Sequence, residues 1–428
     1  MRVRAGFLVI PVMAIATLVG GLPAGASIMP SRQGATAVSP VGPVSPVGPV
    51  SPVSPARRLV DNVFNGASCT TRPDSPSITS ACVAVGFFAD GPTVDGLMES
   101  SFNGKWGGNI FGSIATVTEP IEVSCVPQAD NIPTCVAVGE HYTNPRYPAQ
   151  LVATGDANGF SPVAFRNPKG TRWSVLDDVS CASTTFCMLV GGAGTTRRTA
   201  HGLRYISHAT AYRWTGSAMS RLSVPAPAHS RGAQLGGVSC ASATSCVAVG
   251  NYTGAGGRSL PYSATWTSGS WKIRTARSIR GKGTTTFEAV SCTSPASCVA
   301  VGVAVRPGST AFAERYAAGA WSVLRIAPRR RSAFYSVSCP AASACVAAGQ
   351  SGTRSLIERW NGTRWLAQAV PVTAKPLTTD VLFHVSCVTP AICTAVGARH
   401  NPATRFTNHT LALGWNGSAW TVQKTFNQ

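Results

Sequence analysis

Fourteen cysteines fall into seven local pairs: Cys69 with Cys82, Cys125 with Cys135, Cys181 with Cys187, Cys240 with Cys246, Cys292 with Cys298, Cys339 with Cys345, and Cys387 with Cys393. Closely spaced thiols support either oxidation to a local disulfide or tetrahedral metal binding. Structural zinc sites favour shorter Cys spacings, often with His partners. Here five pairs have five intervening residues and no matching His pair stands nearby. Disulfides are the expected chemistry at all seven, with no metal and no cofactor. Each bridge closes a short loop and contributes about 2 kcal/mol in the chain-entropy model, so each is expected to staple its own neighbourhood.

Other reactive types are sparse. His141, His201, His208, His400 and His409 lack the close spacing of a metal pair. Asp90, Asp95 and Glu140 offer carboxylates of the kind that cleave glycosidic bonds. No Gly-x-Ser-x-Gly elbow, phosphate loop or dinucleotide fingerprint occurs. Thr154-Gly155-Asp156-Ala157-Asn158-Gly159 is only distantly like a sialidase Asp-box and reads better as a tight turn.

Cations are abundant: 36 Lys and Arg stand against 16 Asp and Glu, for a net charge of +20. Guanidinium groups with interleaved aromatics suit anionic polymers through paired hydrogen bonds, stacking and long-range attraction. The candidate ligand-binding residues on this reading are Arg146, Tyr147, Arg197, Arg198, Arg204, Tyr205, Tyr252, Arg258, Arg399 and Arg405.

The elements that must position these groups follow from a repeat. Each first Cys follows a Ser, and each second Cys opens a small apolar tail ending in Gly, as in Val238-Ser239-Cys240 and Cys246-Val247-Ala248-Val249-Gly250. The first cysteines recur every 47 to 59 residues, a period that suits a four-stranded propeller blade. The sixth repeat displays four strand-length runs: Phe334 to Cys339, Cys345 to Gly349, Leu356 to Trp360, and Trp365 to Val370. Called a to d from the axis outward, they place the cystine across the a–b turn. Between c and d stand aromatic pairs five residues apart: Trp266 and Trp271, Tyr316 and Trp321, Trp360 and Trp365, Trp415 and Trp420. That spacing makes them cross-strand partners, expected to pack between blades. The early repeats depart, with Phe102 and Trp106, Phe160 alone, and Trp214 with Met219.

The expected fold is therefore all-β, a seven-bladed β-propeller with four-stranded blades and one disulfide within each blade. Its a–b and c–d turns share one end, short and clipped by cystines. Its b–c loops and d–a connections share the other, which should collect the candidate residues. Gly139 to Ala149, Gly191 to Ala209, Gly250 to Pro261 and Gly397 to Thr410 read as long loops there.

The N-terminal region reads differently. Residues 1–26 have a basic head, an apolar run and a small-residue cleavage site at Ala24-Gly25-Ala26, the pattern of a signal peptide. Residues 27–56 include a Ser-Pro-Val-Gly-Pro-Val tract that should be extended. The repeats occupy 57–428, with no later segment apolar enough to span a bilayer as a helix.

The Val-Ser-Cys, Cys-x-Ala-Val-Gly and Trp-Asn-Gly-x-x-Trp pieces resemble those of secreted bacterial repeat proteins, and more loosely those of kelch-type propellers. The double Gly that follows strand b in kelch repeats is present in that place only at Gly191-Gly192. The resemblance covers residues 57–428 and implies a fold, without a particular activity. The function expected is a secreted or envelope-associated, non-catalytic binding module for an anionic cell-wall polymer or glycan. A glycoside hydrolase or lyase at the channel mouth is the rival, and a scaffold for another exported protein is a third reading. Nucleic acid is disfavoured, since no nucleic-acid motif is visible.

Overall fold

The computed structural model describes residues 61–71, 80–90, 93–111, 117–128, 132–144, 147–199, 202–267, 269–274, 283–306, 308–327, 329–371, 378–401 and 407–426. The signal-peptide and spacer expectations lie outside these residues. So do Arg146 and Arg405. No helix among the described residues is long and apolar enough to cross a membrane.

The architecture is all-β. Strands follow one another in fours, with sets beginning at Asp61, Val117, Trp173, Ala233, Thr284, Ser332 and Thr379. Within each set they pair antiparallel in the order a-b-c-d. The fourth set shows the plan, with Ala233–Ser242, Ser245–Thr253, Ser259–Thr267 and Ser270–Arg274 as strands a to d. Six sheets result, because a single parallel pair, Val94 with Val117, merges the first two sets into one eight-stranded sheet; the other five are four-stranded.

All seven expected disulfides are present, with Cα separations of 3.9 to 4.0 Å. The aromatic pairs are register partners as expected, with ring centroids 5.4 to 5.8 Å apart. The first set corrects the reading: Trp106 pairs with Ser101, and Phe102 pairs with Lys105. In the second set Phe160 pairs with Gly155. The five-residue spacing thus persists where a small residue replaces the first aromatic. Phe111, fully buried, supplies the missing bulk by stacking on Phe160 at 5.0 Å.

The core is divided among the junctions between sets. One buried cluster joins Met188 and Val190 to Trp266 and Trp271, and others of the same kind join each neighbouring pair. The last joins Phe64 and Leu97 of the first set to Val396 and Ala412 of the seventh. Such clusters explain why no set could be stable alone, since each buries its apolar face only against a neighbour.

Two motif residues acquire reasons here. The Gly ending each Cys-x-Ala-Val-Gly tail faces a bulge in strand a. At Gly250 an added Cβ would lie 2.0 Å from the Gln234 carbonyl oxygen, a separation no substitution tolerates without backbone movement. The Ser before each first Cys accepts a hydrogen bond from the backbone N–H of the next set's first Cys. Ser68 accepts from Cys125, Ser124 from Cys181, Ser180 from Cys240, Ser239 from Cys292, Ser291 from Cys339 and Ser338 from Cys387, all at 2.9 to 3.0 Å. Ser386 accepts from Cys69 at 3.0 Å, returning the chain of bonds to its start.

Among the described residues no strand is exchanged where first and seventh sets meet; side chains join them instead. Trp106 Nε1 donates to Gln423 Oε1 at 3.0 Å, and the Asn408 and Phe426 amides donate to Asp61 and Glu99 at 2.9 Å each. His384 reaches across this seam. Its Nδ1 accepts from the Ala67 amide at 3.3 Å, which leaves Nε2–H to face Glu122 Oε2, also at 3.3 Å. Burial lowers the imidazole to about 4, consistent with a neutral ring.

Candidate cationic face

Backbone hydrogen bonds tie the d–a connections to the b–c turns. The Arg172 amide donates to Gly194 O at 2.8 Å, Arg231 to Thr253 O at 2.7 Å, and Gly352 to Arg331 O at 2.8 Å. The opposite end gathers the a–b and c–d turns, as where Asn103 N donates to Ser80 O at 3.1 Å. The two ends expected from the strand order are therefore distinct surfaces.

Much of what the sequence suggested as loop is strand. The third set's b and c strands run Phe186–Thr199 and Gly202–Trp214, paired along their whole length, so Gly191 to Ala209 is a β-hairpin arm. Alternation of small, polar and apolar residues with β-branched Thr sustains that ladder. Arg197 is the register partner of Arg204, Thr196 of Tyr205, and Arg198 of Leu203. The other b–c segments shorten likewise: strand runs to Asn144 and resumes at Tyr147, to Thr253 and resumes at Ser259, and to Asn401 and resumes at Thr407.

The remaining candidates divide. Tyr147 receives Arg172: its hydroxyl accepts from Nη1 at 3.1 Å, and the guanidinium carbon lies 5.8 Å from the ring centroid. Arg258 is exposed in its turn. Tyr252 is half-buried, edge-on to the fully buried Tyr262 at 6.1 Å. Arg399 is committed elsewhere, in a two-point ion pair with Asp380 at 2.9 and 3.2 Å. Its fork is already matched to a carboxylate, which removes it from the groups poised for a ligand.

Charge is segregated by depth, a feature sequence reading missed. Among the residues whose exposure is described, 17 Lys and Arg are exposed and no Asp or Glu is. Nine of the 17 lie in d–a connections or a b–c turn: Arg166, Lys169, Arg172, Arg231, Arg258, Arg325, Arg329, Arg330 and Arg331. The acids sit inward. Glu99 and Glu314 are fully buried, and Glu119, Glu122, Glu140 and Glu358 nearly so. Period-2 alternation in the strands was the available signal, since an acid flanked by apolar residues in a strand faces a junction or the hub.

Glu140 and His141, weighed for catalysis, are constrained by this burial. Glu140 is the register partner of Glu119, and Tyr142 donates to Glu140 Oε1 at 3.1 Å. Burial pushes both carboxyls up to about 7, with Glu119's charge a further cause at Glu140. Burial lowers His141, and its Nδ1 has no hydrogen-bond partner among the described residues. Asp177 on a strand a is likewise raised to about 7 by burial, against a lowering bond from Gln234 Nε2 at 2.9 Å. Asp156 closes the c–d turn expected of Thr154 to Gly159, accepting from Asn158 N at 2.6 Å. No group of three His, Cys, Asp or Glu among the described residues converges as a metal site.

No protein-family model matches the chain, and no curated protein matches its sequence. Solved structures do match in fold. An ulvan lyase of a polysaccharide-lyase family superposes with a TM-score of 0.52 at 11% identity, covering 86% of this chain and 97% of that one. A protein of unknown function from Dyadobacter fermentans gives 0.47 at 10%, covering 84% and 95%. The Aleuria aurantia fungal lectin, described as a six-bladed β-propeller with a fucose-recognition mode, gives 0.41 at 9%, covering 85% and 95%. Identities this low speak to fold alone. The chain is a β-propeller of repeated, disulfide-bearing four-stranded units.

Proposed function

We propose that this chain is an exported seven-bladed β-propeller that acts as a non-catalytic binding module for an anionic polymer or glycan. The ligand lies on the end built from b–c turns and d–a connections. The seven-blade reading is supported by the cycle of Ser–Cys hydrogen bonds, in which each first Cys is served by the preceding set and the last set serves the first. Export is supported by seven disulfides, which persist in oxidising compartments. The resemblance to secreted Cys-repeat proteins accords with both.

The observation that carries the binding function is the charge segregation: exposed cations without exposed acids among the described residues, concentrated at one end. Arg329 pairs with the buried Glu358 at 3.6 Å and Arg399 with Asp380; the other cations have no exposed acid interspersed among them within the described residues, so little offsets their attraction for a polyanion at short range. Arg172 held against Tyr147 is a pre-positioned cation, and the Arg197/Arg204 pair on the third hairpin arm extends the same end. By sequence position Arg146, Arg405 and Tyr205 fall in b–c segments and complete the proposed set, the two arginines lying outside the described residues.

The test is retention on immobilised heparin and on polygalacturonate under a rising salt gradient. Retention should fall with salt, as screening shortens the reach of surface charge. It should fall further in Arg172→Ala/Arg258→Ala and in Arg197→Ala/Arg198→Ala. Retention indifferent to salt and to both double variants would overturn the reading. In the same assay, degradation of polyuronate abolished by Glu140→Gln would favour a lyase or hydrolase, and a co-purifying exported protein would favour a scaffold.

A further inference from the structure

A second site lies at the opposite end, between the second and third sets. Facing rows of residues cross each junction. Where the sixth set meets the seventh, the row Val346, Arg359, Leu366 faces the row Cys393, Trp415, Trp420. There the Arg359 guanidinium covers the Trp415 ring, with its carbon 4.5 Å from the centroid. Where the second set meets the third, the facing rows are Val136, Thr154, Ser161 and Cys187, Trp214, Met219. A short Thr154 stands where Arg359 covers an indole, and Met219 stands where other sets carry the outer Trp.

A cleft of about 540 Å³ lies at this junction, lined by Gln128, Thr154, Asp156 and Ser161 of the second set and by Ser183 and Trp214 of the third. No Lys or Arg lines it among the described residues. Among the described residues lining it the one carboxylate is Asp156, whose Oδ1 accepts from the Asn158 amide. Hydroxyls and an amide beside a mostly buried indole, without a cation among the described lining residues, are the chemistry that recognises sugar hydroxyls. The volume lies in the range of small-ligand sites.

We propose that this cleft binds a neutral oligosaccharide of two or three pyranose units. It is independent of the cationic face in position and in charge, and Asp156 disfavours an anionic ligand here. The polymer held by one end and a neutral chain held by the other would make the module a bridge between two glycans.

The test is saturation-transfer NMR with cellotriose, maltotriose and chitotriose, run at high salt so that the cationic face is screened. At least one should receive saturation, and trigalacturonate should not. Thr154→Val, which removes a hydroxyl while preserving β-branching, should weaken the bound trisaccharide by about 5- to 10-fold. Ser161→Trp, on an exposed outer strand, should abolish its signal while leaving heparin retention unchanged. Absence of transfer to all three neutral sugars, a signal that survives Ser161→Trp, or preferred binding of trigalacturonate would each overturn the proposal.

Discussion

Replacing Ser239 with Ala removes the acceptor of the Cys292 amide, bonded at 2.9 Å across the hub. A net hydrogen bond contributes about 1 kcal/mol, and a buried N–H left unpaired costs about 1 to 3 kcal/mol. Cys292 is half-buried, which puts the expected loss near the lower end, about 1 to 1.5 kcal/mol. Spread over a β-domain this large, such a change moves Tm by only about 1 to 2 °C, so melting is a blunt readout. Hydrogen exchange at single-amide resolution is sharper, because the opening free energy acts on one amide. Exchange of the Cys292 amide should accelerate about 5- to 12-fold, the equivalent of that loss. The informative comparison is Ser386→Ala, whose bond to the Cys69 amide at 3.0 Å spans 317 residues of sequence. If the cycle is closed, Ser386→Ala accelerates Cys69 as Ser239→Ala accelerates Cys292. A parent protein whose Cys69 amide already exchanges unprotected, with Ser386→Ala silent, would refute a closed hub.

Further expectations follow from the same geometry. Gly250→Ala forces a Cβ to within 2.0 Å of the Gln234 carbonyl, and should destabilise by more than about 3 kcal/mol or abolish secretion of folded protein, read by expression and circular dichroism. Removing one bridge as Cys292→Ser/Cys298→Ser should cost about 2 kcal/mol and leave the other six oxidised, as peptide mapping would show; scrambled pairing would contradict local stapling. Stability should fall as pH rises from about 5 to about 8, because Glu119, Glu140 and Asp177, raised to about 7, hold protons in the folded state that the unfolded chain releases. His384, lowered to about 4, and His141, also lowered, contribute the opposite slope below the ordinary imidazole value of 6.5, against four carboxyls at about 7 once Asp178 is included. Glu140→Gln should flatten the slope of urea midpoint against pH, and an unchanged slope would remove Glu140 from its cause.

The seven cystines, the four-strand plan and the Trp pairs were legible because each is a local regularity: a fixed spacing, a run of strand formers, two aromatics across a four-residue turn. Three features were not. The hydroxyl of Ser239 looks like a small hub residue until its partner in the next set is known, 53 residues away. Ser101 and Gly155 hide the aromatic register of the first two sets, since their partners Trp106 and Phe160 appear orphaned in sequence. The candidate face was read from the positions of Arg and interleaved Tyr residues in the b–c segments. Sequence could not show that Asp380 already occupies Arg399, or that most acids turn inward and leave the surface more cationic than composition implies. The third hairpin arm was read as a loop because Gly and Thr dominate it, whereas continuous pairing to the end of Phe186–Thr199 overrides that composition.

Arginine-directed chemical footprinting by mass spectrometry distinguishes a ligand face at the b–c and d–a end from binding elsewhere. With saturating heparin or polygalacturonate, Arg172, Arg258, Arg330 and Arg354 at the b–c and d–a end should be protected from modification. Arg213 and Arg364, beside c–d turns and also exposed, should react as in the free protein. Protection confined to Arg213 and Arg364, or spread evenly over both ends, would contradict it.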